Sequence, residues 1–170
     1  RKVYFDPVVK ENCQTLCLHN EIIVNNNITS LAQARRITHE MKMHSNEIIE
    51  NIRSGVYSEV DDDVLQQDSE NDEDKLHDVL EQHCYLDLDG DGYEEPYAVT
   101  MLKDHDHILR IYPRFQESDV EFTQDNKVRY IKPCSYFIDY HCIPNPDGSF
   151  YSIGCGALLH TLNETINTGI

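Results

Sequence analysis

A chain of 170 residues with 31 acidic and 14 basic side chains carries a formal net charge of −17. It is long enough to bury one core, and with no apolar run of membrane-spanning length and no signal-peptide architecture it is expected to have no membrane partner. No basic stripe interrupts the acidic balance. Affinity for a phosphate backbone is built from Lys and Arg, so a DNA-gripping module is not expected, whereas a surface that DNA passes without sticking is compatible.

Residues 1–58 read as a mixed strand and helix portion. Val3-Tyr4-Phe5 with Val8-Val9 is short, apolar and broken by Pro7, as an edge strand or lead-in would be. Residues 21–24 form a second apolar run, ended by the turn-prone Asn25-Asn26-Asn27. Ser30 is placed to cap a short helix through Arg36, its hydroxyl accepting a bond from an orphan N–H. Residues 38–43 predict a strand. Ser45 is expected to cap the next helix, over 46–54, with Ile48, Ile49 and Ile52 on one face and Gly55 just past its end. In residues 59–75 the composition changes to a run of Asp and Glu whose like charges self-repel, the pattern of an acidic linker or insertion.

Residues 76–143 have a β texture. Residues 79–88 lead into Asp89-Gly90-Asp91-Gly92, 97–102 follow as a partner strand, and 108–115 pair back across the 103–107 turn. Residues 120–122 and 128–131 flank Gln124-Asp125-Asn126 as another hairpin. Residues 136–143 read as a last apolar-aromatic strand. The fold class expected is α+β, mainly antiparallel sheet with flanking short helices. Residues 144–170 combine a Gly/Pro turn (Pro144, Pro146, Gly148) with a truncated amphipathic helix. Leu158, Leu159, Leu162 and Ile166 share one stripe of it, and Asn163, Glu164 and Asn167 face away.

One loop has the residue types for chemistry. Asp87, Asp89 and Asp91 stand at the alternate positions of a D-x-D-x-D-G calcium loop, with the Tyr93 carbonyl and Glu95 or a water to complete an oxygen shell. A helix-loop-helix calcium hand wants a bidentate Glu at the twelfth position, where this chain has Ala98, and the flanks read as strands. The alternatives are a strand-borne calcium loop and a plain polar turn. No nucleophile elbow, phosphate loop, dinucleotide fingerprint or zinc-protease motif occurs, so no catalysis is expected. His105-Asp106-His107 falls at a turn and is expected to be solvated. The six cysteines contain no C-x-x-C pair and are expected to be reduced, mostly buried thiols.

Three stretches carry a family resemblance: ARRITHEMKM ending at Met43, HCYLDLDGDGYEEPYAVT across the acidic loop, and PDGSFYSIGCGALLHTLNETINT at the close. Together they resemble portal proteins of tailed phages, of the large type. The resemblance implies a wing-like region that leads toward stem helices, with the acidic linker and the LDLDGDGY loop as parts of that fold. It further implies a homo-oligomeric ring, commonly of twelve copies, at one capsid vertex of a phage or prophage. DNA would pass through during packaging and ejection. The partners would be terminase, which supplies ATP hydrolysis, and the capsid and head-completion proteins. Localisation would be the virion, and the host cytoplasm during assembly. Because the chain begins with Arg1 and closes inside a helical pattern, it is expected to be an internal piece of such a subunit. The alternative from a different class is a calcium-binding recognition or adhesion module built on Asp87–Glu95, and a hydrolytic enzyme ranks last.

Overall fold

The computed structural model describes residues 1–25, 27–60, 76–141 and 143–168, so most of the acidic run lies outside the described residues. The architecture is α+β and mainly antiparallel, as the succession of short strands and turns predicts. Its frame is a five-stranded sheet in the order β3-β4-β5-β6-β7, formed by Ile22–Val24, Ile37–His44, Leu76–Leu86, Glu95–Leu102 and His107–Pro113. Each neighbouring pair is antiparallel. Side chains alternate across a strand, so β6 sends Pro96, Ala98, Thr100 and Leu102 to the buried side. In β5 the same alternation buries His77, Val79, Glu81 and His83, a strand face that is polar over much of its length.

One end of the sheet is closed by α1, Ser45–Arg53. Its Ile48 is fully buried and packs with Val79, Leu102 and Leu109, while Ile49, Ile52, Met41 and Tyr57 seal the edges. Burying an isoleucine this completely stabilises the fold by roughly 1.5–3 kcal/mol. The helix starts one residue earlier than expected, and His44 occupies the cap. The His44 backbone N–H donates to the Glu47 carboxylate at 2.9 Å, while the Ser45 hydroxyl pairs with His77 Nε2 at 2.8 Å instead of capping. Gly55 ends the helix at φ +73°, the left-handed conformation that its lack of a Cβ permits.

Two small hairpins flank this frame: β1–β2 from Lys2–Asp6 and Glu11–Thr15, and β8–β9 from Val120–Phe122 and Val128–Ile131. The closing helix, α2, spans Cys155–Thr168. Three further expectations are corrected, and one strand was not foreseen. The Ser30 hydroxyl makes no capping bond, and only a 3₁₀ turn, Leu31–Gln33, follows it. Of the strand expected over 136–143, residues 136–141 form none: Phe137 makes one isolated bridge, to Lys2. β2, with the polar sequence ENCQT, was not expected. Of the five described cysteines, all free, only Cys84 is buried, whereas Cys134 and Cys155 are exposed.

Candidate functional site

The 87–94 loop joins β5 to β6, which pair up to Leu86↔Glu95. Gly90 and Gly92 take φ of +75° and +90°, so the chain reverses without a Cβ in the way. The aspartates bind their own backbone. Asp87 accepts Gly90 N–H at 2.8 Å and Gly92 N–H at 3.0 Å, Asp89 accepts Asp91 N–H at 3.2 Å, and Asp91 accepts Tyr93 N–H at 2.7 Å. These bonds are the Asx-turn chemistry of a polar turn. They also draw one carboxylate oxygen from each of Asp87, Asp89 and Asp91 to within 4.8 Å of one another, all exposed.

Glu95 does not join this group; its carboxylate accepts the Tyr97 hydroxyl, and that bond pushes the Tyr97 phenol up to about 12. Tyr93 turns its ring toward β9, where its hydroxyl accepts Ile131 N–H at 3.2 Å. Asp87, Asp89 and Asp91 are thus brought together, whereas the Glu95 carboxylate is engaged within β6 and the Tyr93 side chain ties the loop to β9. An all-oxygen set of exposed carboxylates suits a hard cation such as calcium.

A second constellation lies inside the fold. Lys2 Nζ approaches Glu81 Oε2 at 2.8 Å, with the two side chains 7% and 10% exposed. His83 Nε2 stands 2.9 Å from Glu81 Oε1, and because a carboxylate only accepts, the imidazole proton sits on Nε2. Burial pushes Glu81 up, but the bonds from His83 and Lys2 outweigh it and bring the carboxyl down to about 2. Burial lowers both His83 and His39, which keeps them neutral. His39 Nδ1 has no hydrogen-bond partner among the described residues. The network joins β1 to the sheet across 79 positions of sequence.

Sequence reasoning missed a further group. His141 Nδ1 meets Ser152 Oγ at 2.8 Å, and its Nε2 meets Asp139 at 3.2 Å. The residue types are those of a hydrolytic triad. Here Asp139 also takes the Leu31 N–H at 3.4 Å, so the set stitches three loop segments together. Only the D-x-H spacing of Asp139 and His141 hinted at it. His105 and Asp106 lie exposed in the expected turn, whereas His107 opens β7 with its Nε2 buried. No protein-family model and no curated protein matches the chain.

Proposed function

We propose that this chain is a structural segment of a phage portal subunit, contributing wing-like sheet and the approach to the stem of a ring that DNA crosses. The observation that carries this reading is α2. It presents Leu158, Leu159 and Ile166 at 44%, 59% and 60% exposure. A helix that leaves such a stripe in water forfeits burial worth roughly 1.5–3 kcal/mol per side chain, which packing against another element recovers. The quoted runs also coincide with structural units: the β5–β6 hairpin, and the turn that enters α2. The net charge of −17 suits a conduit that must not hold DNA. In this reading the chain performs no catalysis, and terminase, capsid and head-completion proteins are its partners. The test is negative-stain electron microscopy of the protein carrying this chain. Closed rings support the reading, their loss on Leu158→Gln/Leu159→Gln ties them to α2, and a monomer at every concentration overturns it.

The convergence of Asp87, Asp89 and Asp91 favours a second reading, a calcium-binding recognition or adhesion module. Calcium at about 100 times its dissociation constant adds about 2.7 kcal/mol to a native state that alone binds it. Equal melting temperatures in calcium and in EDTA would sink this reading.

A further inference from the structure

We propose that the cleft beside Arg114 receives a single carboxylate group carried on a short aliphatic stem. The cleft, about 70 Å³ in volume, opens between the Leu31–Gln33 turn and residues 133–135. Leu31, Ala34, Ile37 and Pro133 give it apolar walls, and Arg114 supplies a cation.

Arg114 is only 7% exposed. Arginines buried to this degree are ordinarily paired with a carboxylate, because an uncompensated charge taken out of water is expensive. Here Nε donates to the Tyr97 carbonyl at 3.0 Å and Nη1 to the Cys134 carbonyl at 3.1 Å. Those bonds hold the guanidinium plane, but neutral carbonyls do not cancel its charge. A guanidinium has five N–H donors, so three remain. Among the described residues no carboxylate forms an ion pair with it.

The contrast with Arg35 sharpens the point. Both cations sit over the Tyr85 ring, Arg35 at 5.1 Å and Arg114 at 5.8 Å. The exposed Arg35 is neutralised by Glu94, whereas the buried Arg114 has no counterion among the described residues. A carboxylate matches the guanidinium fork in bidentate geometry, and its single negative charge cancels the single positive one. A water needs about 10–15 Å³ measured in this way, so the cleft has room for a carboxylate and two or three carbons. His83, Tyr85, Cys134 and Ser135 also line the cleft, and the apolar part of the lining favours an anion with a carbon stem over inorganic phosphate, which has none to bury. Propionate has this chemistry, and so does an Asp or Glu side chain of a second copy of this acidic chain.

The test is an NMR titration of the chain with sodium propionate at constant ionic strength, following the Arg114 Nε–H and Cys134 amide signals. Saturable shifts are expected with propionate, none with neutral propionamide, and weaker ones with inorganic phosphate. Arg114→Lys should weaken binding about tenfold or more, the loss of one charge-assisted bond. Because that change also disturbs two backbone bonds, Ala34→Leu serves as a second variant. It fills the cleft, leaves Arg114 bonded, and should abolish the response with circular dichroism unchanged. Sedimentation then assigns the source: dimers dissolved by propionate mean a carboxylate from a second copy, and monomers throughout mean a free acid. A response to propionate no different from that to chloride, equal shifts with propionamide or phosphate, or unchanged binding by Ala34→Leu overturns the proposal.

Discussion

Replacing Glu81 by Gln should destabilise the chain by about 3 kcal/mol at pH 7. The substitution keeps the volume but removes the charge that faces Lys2 Nζ at 2.8 Å and the acceptor that faces His83 Nε2 at 2.9 Å. Lys2, itself 5% exposed, is then left as a buried cation without a counterion, the situation for which about 3–5 kcal/mol is typical. The carboxyl tells the same story: a fall from the ordinary 4.5 to about 2 corresponds to about 3 kcal/mol. The sign follows from proton binding. The unfolded carboxyl takes its proton near pH 4.5 and the folded one near 2, so the contribution is whole above 4.5 and is lost as pH falls toward 2. By about pH 3 roughly 1 kcal/mol of it remains. His39 and His83 act in the same direction from a higher pH. Burial lowers both, so the unfolded chain binds their protons first, and stability declines as pH drops below about 6.5. Urea unfolding followed by circular dichroism, at pH 7 and pH 3, measures the difference between wild type and Glu81→Gln. A cost under about 1 kcal/mol at pH 7, or one that does not shrink with acid, would refute the reasoning.

Ile48→Ala should lower stability by about 3 kcal/mol in the same urea assay, since a fully buried side chain is truncated against Val79, Leu102 and Leu109. Gly55→Ala should cost about 1–2 kcal/mol although a Cβ there meets nothing within 4 Å, because the penalty is the left-handed φ of +73° and not a clash. Gly55→Asn should recover part of that loss, and thermal unfolding separates the two variants. The Leu158→Gln/Leu159→Gln variant should change the stability of this chain by no more than about 0.5 kcal/mol, because both side chains are exposed; a larger loss of melting temperature would mean that α2 packs on the sheet.

Where local pattern controls conformation, the elements are legible. β6 is marked by the short apolar run PYAVTML, and it buries every second residue from Pro96 to Leu102. α1 carries its isoleucines at helical spacing and ends at a glycine, and the D-x-D-x-D-G run makes the tight turn its residue types demand. Elements that depend on a distant partner are not legible. The polar ENCQT becomes β2 because β1 lies beside it across the Asp6–Lys10 turn, where Lys10 N–H donates to the Asp6 carbonyl at 2.8 Å. The apolar-aromatic residues after Ser135 look more like a strand and are not one. Tyr136 and Ile138 spend their backbone bonds on Val3 N–H and the Arg1 carbonyl, with no continuous edge to follow. Ser45 had the composition of a cap, and His77, brought near by the sheet, took its hydroxyl instead.

The sequence by itself determined the class of the fold, the central hairpins, the acidic loop and the amphipathic character of the last helix. Each follows from steric and hydrogen-bonding preferences that act over two to four residues. Only the tertiary structure decided that Glu81 would meet Lys2 and that Arg114 would be buried beside a cleft with no counterion among the described residues, and it left Leu158, Leu159 and Ile166 uncovered. Those outcomes depend on which segments, far apart along the chain, close against one another, and therefore on desolvation and charge pairing that no local spacing encodes.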